Sequence, residues 1–245
     1  MGCRTEVEVM KKLIYGEMDE RTVVQEEWKN SGTAWTRNSF FEENGYLIIK
    51  NLYDPKQLYC APPQKMGRHY WINNNIDDVD MMPETQVDGS IERYWHPHYR
   101  TAHSKIRCIL EKKLGRKLYN TYYYERFYFT GQELTRHTDR EACEISVSVH
   151  VGTNLKEEWP FNFKTPDKYT DPSKKELLKK GKKVSVNLNA GDGVVYKGCE
   201  RPHWRDRMPG SYEEMNGHEK IYYHQIFFHY VLQDGIRAHY AFDRG

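Results

Sequence analysis

Residues 144–151 read Glu144-Ile145-Ser146-Val147-Ser148-Val149-His150-Val151. Apolar and polar side chains alternate with a period of two, which puts Ile145, Val147, Val149 and Val151 on one face of an extended chain and Ser146, Ser148 and His150 on the other. The spacing predicts a half-buried strand. The same period recurs from Val184 to Asn189, and strand-forming runs stand at Tyr119–Phe129, Phe161–Lys164, Val194–Lys197 and Ile221–Leu232. Gly131, Thr165-Pro166 and Gly191-Asp192-Gly193 punctuate them as turns. Six or more short strands within 119–232 predict a double-sheet jelly roll.

Upstream of this block the signals are helical, with one embedded strand. Asn38-Ser39 precedes FFEEN and Gly45 follows it, which predicts a short helix capped at both ends, leading into a strand over Tyr46–Ile49. Asp54-Pro55 reads as an N-cap with proline in the first turn, opening a helix toward Cys60 that Pro62-Pro63 stops. From Thr101, Ile106, Ile109, Leu110 and Leu114 recur at helical spacing and Gly115 closes the segment, so this helix is expected to pack on a sheet. The polar, acidic residues 72–90 predict a long loop, read together with 208–217 as lids over a site.

The fold class expected is therefore α+β, mainly β: a double-stranded β-helix (jelly roll, cupin-like) with N-terminal helices packed on one sheet. A length of 245 residues fits a single domain, divided as helical support over 1–118, a jelly-roll core over 119–232 and a tail over 233–245. The hydrophobic fraction is 38%, but 19 Tyr and 6 Trp supply large amphipathic side chains for a core. With 37 Lys and Arg against 35 Asp and Glu, the formal charge of +2 carries no strong footprint of a nucleic-acid partner. The lysines over 174–183 read as a solvated flank. Five scattered cysteines without a C-x-x-C pair fit a reducing compartment. No apolar run long enough to span a membrane stands in the sequence, and the expected location is cytoplasmic.

The chemistry is carried by Leu134-Thr135-Arg136-His137-Thr138-Asp139-Arg140, which sets an imidazole and a carboxylate two residues apart. In a strand, positions i and i+2 point the same way, so His137 and Asp139 can face one metal. A third ligand, His203, follows the Ala190–Gly193 turn and the strand Val194–Tyr196. Two histidines and one carboxylate on one face of an octahedral ion leave open positions, the arrangement of non-haem Fe(II) oxygenases. His96-Pro97-His98 with His103 reads instead as a helix start. His224 and His229, at odd separation on the last strand, face opposite sides and are expected as one core and one surface residue.

With these elements in this order, the chain resembles the Fe(II)/2-oxoglutarate dioxygenases, a family that includes prolyl hydroxylases and phytanoyl-CoA hydroxylase. The resemblance covers roughly residues 39 to 232, through FFEENGYLIIKNLYDP, YYYERFYFTGQELTRHTDR, NAGDGVVYKGCERPHW and IYYHQIFFHYV. It implies that His137, Asp139 and His203 bind Fe(II), that 2-oxoglutarate chelates the ion, and that O2 takes the remaining position. A C–H bond of a small molecule or peptide side chain is then hydroxylated, with release of succinate and CO2; the retained Asp139 favours hydroxylation over halogenation. The family's cation for the far carboxylate of 2-oxoglutarate commonly stands about ten residues after the distal histidine, where this chain has Glu213. Lys220, Arg205, Arg126 and Tyr128 are the candidates to replace it. Aromatic residues at Tyr70-Trp71, Tyr94-Trp95 and Trp204 are candidates for lining a substrate pocket. Two other readings compete: a zinc hydrolase on the same ligands with a base such as Glu144, and a cupin-like metal-binding protein without turnover.

Overall fold

The N-terminal capping signals open the helices where the sequence places them. In a computed structural model that describes residues 36–60, 86–165, 181–210, 221–241 and 243, the Asn38 side chain accepts from the Phe41 N–H to start α1 (Ser39–Asn44), and Gly45 ends it in the left-handed region. Asp54 caps α2 (Pro55–Leu58), which stops at Leu58 because Tyr59 is extended, short of the expected Cys60. A 3-10 turn over Pro97–Tyr99, capped by His96, leads into α3 (Arg100–Leu114), and Gly115 closes it. Ile106, Leu110 and Leu114 are fully buried along one side of α3, which stabilises its docking by about 1.5–3 kcal/mol per side chain.

Ten antiparallel strands form among the described residues: β1 (Tyr46–Ile49), β2 (Ile91–Tyr94), β3 (Leu118–Phe129), β4 (Leu134–His137), β5 (Ile145–Thr153), β6 (Phe161–Thr165), β7 (Lys182–Val186), β8 (Gly193–Tyr196), β9 (His203–Arg205) and β10 (Tyr222–Leu232). A six-stranded sheet has the order β1-β8-β5-β10-β3-β2, and a four-stranded sheet the order β4-β9-β6-β7. This is the double-stranded β-helix expected.

The large sheet is covered on both faces. Ile145, Val147, Val149 and Val151 pack with Phe41, Leu58, Ile106 and Leu110 under the helices, while Tyr128, Phe227 and Tyr196 pack with Phe161, Phe163 and Val186 between the sheets. The strand over 145–151 is therefore buried on both sides, rather than half-buried as its alternation suggests, and all twelve residues of β3 are buried too. Its polar side, Ser146, Ser148 and His150, faces the other sheet and not solvent. For the same reason His224 and His229 do lie on opposite faces, but neither is at the surface.

Behind the sheet, His224 Nε2 lies 2.7 Å from Glu125, which also meets Arg93 and the Tyr99 hydroxyl. Burial works to raise the Glu125 carboxyl, but His224, Arg93 and Tyr99 hold it down at about 2. Cys60, Cys143 and Cys199 are free thiols, as expected, whereas Cys108 is disulfide-bonded. No helix among the described residues is long and apolar enough to cross a membrane. The expectations on Tyr70-Trp71, Lys220 and most of loops 72–90 and 208–217 and of the 174–183 stretch lie outside the described residues.

Candidate metal centre

β4 and β9 are neighbours in the small sheet, with His137 directly opposite His203 and the two rings 4.3 Å apart. Asp139 Oδ1 lies 3.2 Å from Nε2 of His203 and 3.5 Å from Nε2 of His137. Asp139 stands just beyond the end of β4, so the shared face of one strand is not what aims it. Its backbone N–H donates to the Gly198 carbonyl at 2.9 Å, and its Oδ2 accepts from Ser146 Oγ at 2.8 Å.

Both imidazoles are oriented in the same way. His137 Nδ1 lies 2.8 Å from the Thr135 carbonyl and His203 Nδ1 2.9 Å from the Arg201 carbonyl. A carbonyl only accepts, so each Nδ1 donates, and each ring is held with Nε2 turned toward Asp139. Two imidazole nitrogens and a carboxylate oxygen thus converge on one point, an arrangement that a cation satisfies. Burial works against the charge of Asp139, yet His203 and His137 beside it hold the carboxyl well below the usual range. The three donors have the chemistry and the anchoring that a hard or borderline divalent ion requires.

A second group, Asp139, Cys143 and His229, also brings its potential ligand atoms within 4.8 Å of one another. Burial, with Asp139 nearby, pushes the Cys143 thiol well above its usual range, and the Tyr122 hydroxyl lies 3.2 Å from its sulfur. A neutral thiol is a poor ligand, so His137, Asp139 and His203 make the better cation site. The His96, His98 and His103 set does not come together. His103 is buried, stacks on Phe228 and meets the His229 carbonyl at 3.1 Å.

Arg205 follows His203 by two residues and is buried on the same side of β9. Its guanidinium lies 5.5 Å from the Phe161 ring, which also packs against His203. Nε donates to Gln225 at 3.1 Å and Nη1 to the Trp159 carbonyl, while Nη2 is buried without a partner among the described residues. Such an orphan costs about 1–3 kcal/mol unless an acceptor reaches it. Arg126 is differently placed: it pairs with Glu92 at 2.6 Å, donates to the Tyr128 hydroxyl at 3.0 Å and reaches Gln86 at 3.1 Å. Arg126 and Tyr128 are therefore committed to each other and to Glu92. Trp204, between two inward residues, points outward beneath Arg136 and does not line this interior. Tyr94 does lie against it, stacked on Tyr124 at 4.7 Å. Sequence reading missed Ser146, Gly198 and His229; the polar side of β5 was the available signal for the first.

No model of a known protein family matches the sequence, and no curated protein matches it. Among solved structures, a 2OG-Fe(II) oxygenase family oxidoreductase from Burkholderia pseudomallei is similar at 10% identity, covering 84% of this chain and 90% of that one, with a TM-score of 0.52. EctD from S. alaskensis, solved with 2-oxoglutarate and 5-hydroxyectoine, is similar at 14% identity over 81% of this chain and 79% of that one, also with a TM-score of 0.52. The chain thus has the fold of the 2-oxoglutarate and Fe(II) oxygenases.

Proposed function

We propose that the protein is a non-haem Fe(II)- and 2-oxoglutarate-dependent dioxygenase that hydroxylates a C–H bond of a small molecule or peptide side chain. The observation that carries this reading is the convergence of His137 Nε2, His203 Nε2 and Asp139 Oδ1, with each imidazole held by a backbone carbonyl. Fe(II), with 2-oxoglutarate and O2, would supply the oxidising power to break the C–H bond, releasing succinate and CO2.

The chain's own residues do the rest. His137, Asp139 and His203 would hold the ion, and the Thr135 and Arg201 carbonyls fix both imidazole rings with Nε2 toward it. Arg205 would offer Nη2 to the far carboxylate of the cosubstrate, beside the rings of Trp159, Phe161 and Tyr223. The zinc-hydrolase alternative is disfavoured by Glu144, which accepts from the Leu232 N–H at 2.8 Å and faces Arg237. That carboxylate is occupied away from the metal centre.

The test is anaerobic thermal unfolding with Fe(II) and 2-oxoglutarate. Ligands at about one hundred times their Kd stabilise the native state by about 2.7 kcal/mol, a rise of about 5–10 °C for a chain of this size. Asp139→Ala should abolish the shift while melting cooperatively. An unchanged wild-type midpoint, or an equal shift in Asp139→Ala, refutes the reading.

A further inference from the structure

Asp139 reaches the centre from a loop, and the side chains that hold it come from the other sheet. Ser146 on β5 sits opposite His229 on β10 in the strand register. Ser146 Oγ lies 2.8 Å from Asp139 Oδ2 and 3.1 Å from His229 Nδ1. Ser146 is fully buried and His229 nearly so. A serine hydroxyl has one proton, and two acceptors face it, Asp139 Oδ2 at 2.8 Å and the Cys143 carbonyl at 3.3 Å; the nearer, charged oxygen takes it. The contact to His229 is then Nδ1–H donating to Oγ.

The orientation of His229 is set from two sides. Its ring stacks on Tyr122 at 4.5 Å, and its carbonyl accepts from His103 Nε2 on α3 at 3.1 Å. Its Nε2 is buried with no hydrogen-bond partner among the described residues. A leucine of similar bulk would avoid that penalty, so stability alone does not explain a histidine here.

We infer that His229 is a positioning residue for the metal centre: by donating to Ser146 it directs the serine proton onto Asp139 Oδ2, which leaves Oδ1 as the oxygen offered to a metal ion. This rests on the reading of His137, Asp139 and His203 as ligands. Holding Oδ2 in this way fixes the carboxylate's orientation, and an oriented ligand would bind a metal ion more tightly. The helix that supports the sheet is thereby linked to the ligand: His103 holds the His229 backbone, His229 the hydroxyl, and the hydroxyl the carboxylate.

The experiment uses Co(II) as the probe, titrated anaerobically into the metal-free full-length protein and followed by visible absorption. His229→Leu and Ser146→Ala should each weaken Co(II) binding by about 10- to 100-fold, the usual effect of losing a residue that orients a ligand, with a changed band shape. His229→Asn, whose amide nitrogen falls near the Nδ1 position, should restore affinity to within about threefold of wild type. Urea unfolding of the metal-free His229→Leu protein should show stability equal to or above wild type. The inference is overturned if His229→Leu keeps wild-type affinity and spectrum, or if the asparagine variant is as weak as the leucine one. Should His229→Leu fail to fold, Ser146→Ala decides: unchanged affinity there overturns the inference as well. Failure of the underlying metal reading looks different, because wild type then binds no Co(II) or Asp139→Ala binds it equally well.

Discussion

Replacing Gly198 with alanine tests how closely the backbone cradles Asp139. A Cβ at this position would lie 2.5 Å from Ser146 Oγ and nearer still to Asp139 Oδ2 and the Cys143 carbonyl, where ordinary contact begins near 3.4 Å. Something must therefore shift by about 1 Å, and two of the three obstructing atoms are the partners of the hydrogen bond that orients the carboxylate. The third is backbone, held where Gly198 N–H donates to the Glu144 carbonyl at 3.2 Å. Displacing Oδ2 or Oγ by about 1 Å stretches a 2.8 Å hydrogen bond past its useful range. The expected result is a fold weakened by about 1–3 kcal/mol, the usual cost of overpacking, with Co(II) affinity down by about 10- to 100-fold. Urea unfolding reads the first and metal titration of the folded variant the second. Destabilisation with metal affinity unchanged would show that Asp139 and Ser146 tolerate the methyl group, and would refute the claim that Gly198 shapes the site.

Acid should destabilise the metal-free protein from below pH 6.5, because burial lowers the imidazoles of His103 to about 3 and of His150 and His229 to about 4. A lowered folded value means the stabilisation is complete above 6.5 and is lost as pH falls toward 4, by about 2 kcal/mol per histidine at pH 5; urea midpoints that agree at pH 7.5 and pH 5 would contradict this. Arg205→Met keeps the bulk of the side chain while removing the charge, so it should weaken 2-oxoglutarate binding to the Co(II)-loaded protein by tenfold or more with Co(II) affinity nearly unchanged. Equal cosubstrate affinity in that variant would return the role to Lys220.

Much of the fold could be read because local signals and tertiary structure agree. The caps at Asn38, Gly45, Asp54 and Gly115 work as short-range chemistry, and the Ala190–Gly193 turn closes with Gly191 at φ +88. β2 escaped because its polar side chains disguise it. Arg93 is 3% exposed in a strand of four residues, and its burial is compensated by Glu125, while Glu92 answers Arg126. Those partners are more than thirty residues away in sequence, so no local pattern reports that the charges are internal.

The residues that converge at the candidate site could be picked from the sequence and the groups that support them could not, for one physical reason. Alternation in β5 shows that two faces differ but not which one meets solvent. Here the valines turn outward to α1, α2 and α3, and Ser146, Ser148 and His150 turn inward. The large sheet is thus wrapped in apolar contacts on its helix side and lined with hydrogen-bonding groups on the side toward the other sheet. An interior that takes in charged or polar groups needs that inversion, because a wholly apolar cavity could not meet the cost of burying them. Arg205, Gln225, Ser148 and His150 at one end and Ser146 and His229 at the other are consequences of it. A period-two strand whose polar residues are serine and histidine, rather than lysine and glutamate, is therefore itself a sign of a polar interior, since serine and histidine side chains can be satisfied by hydrogen bonds without carrying a full charge into the core.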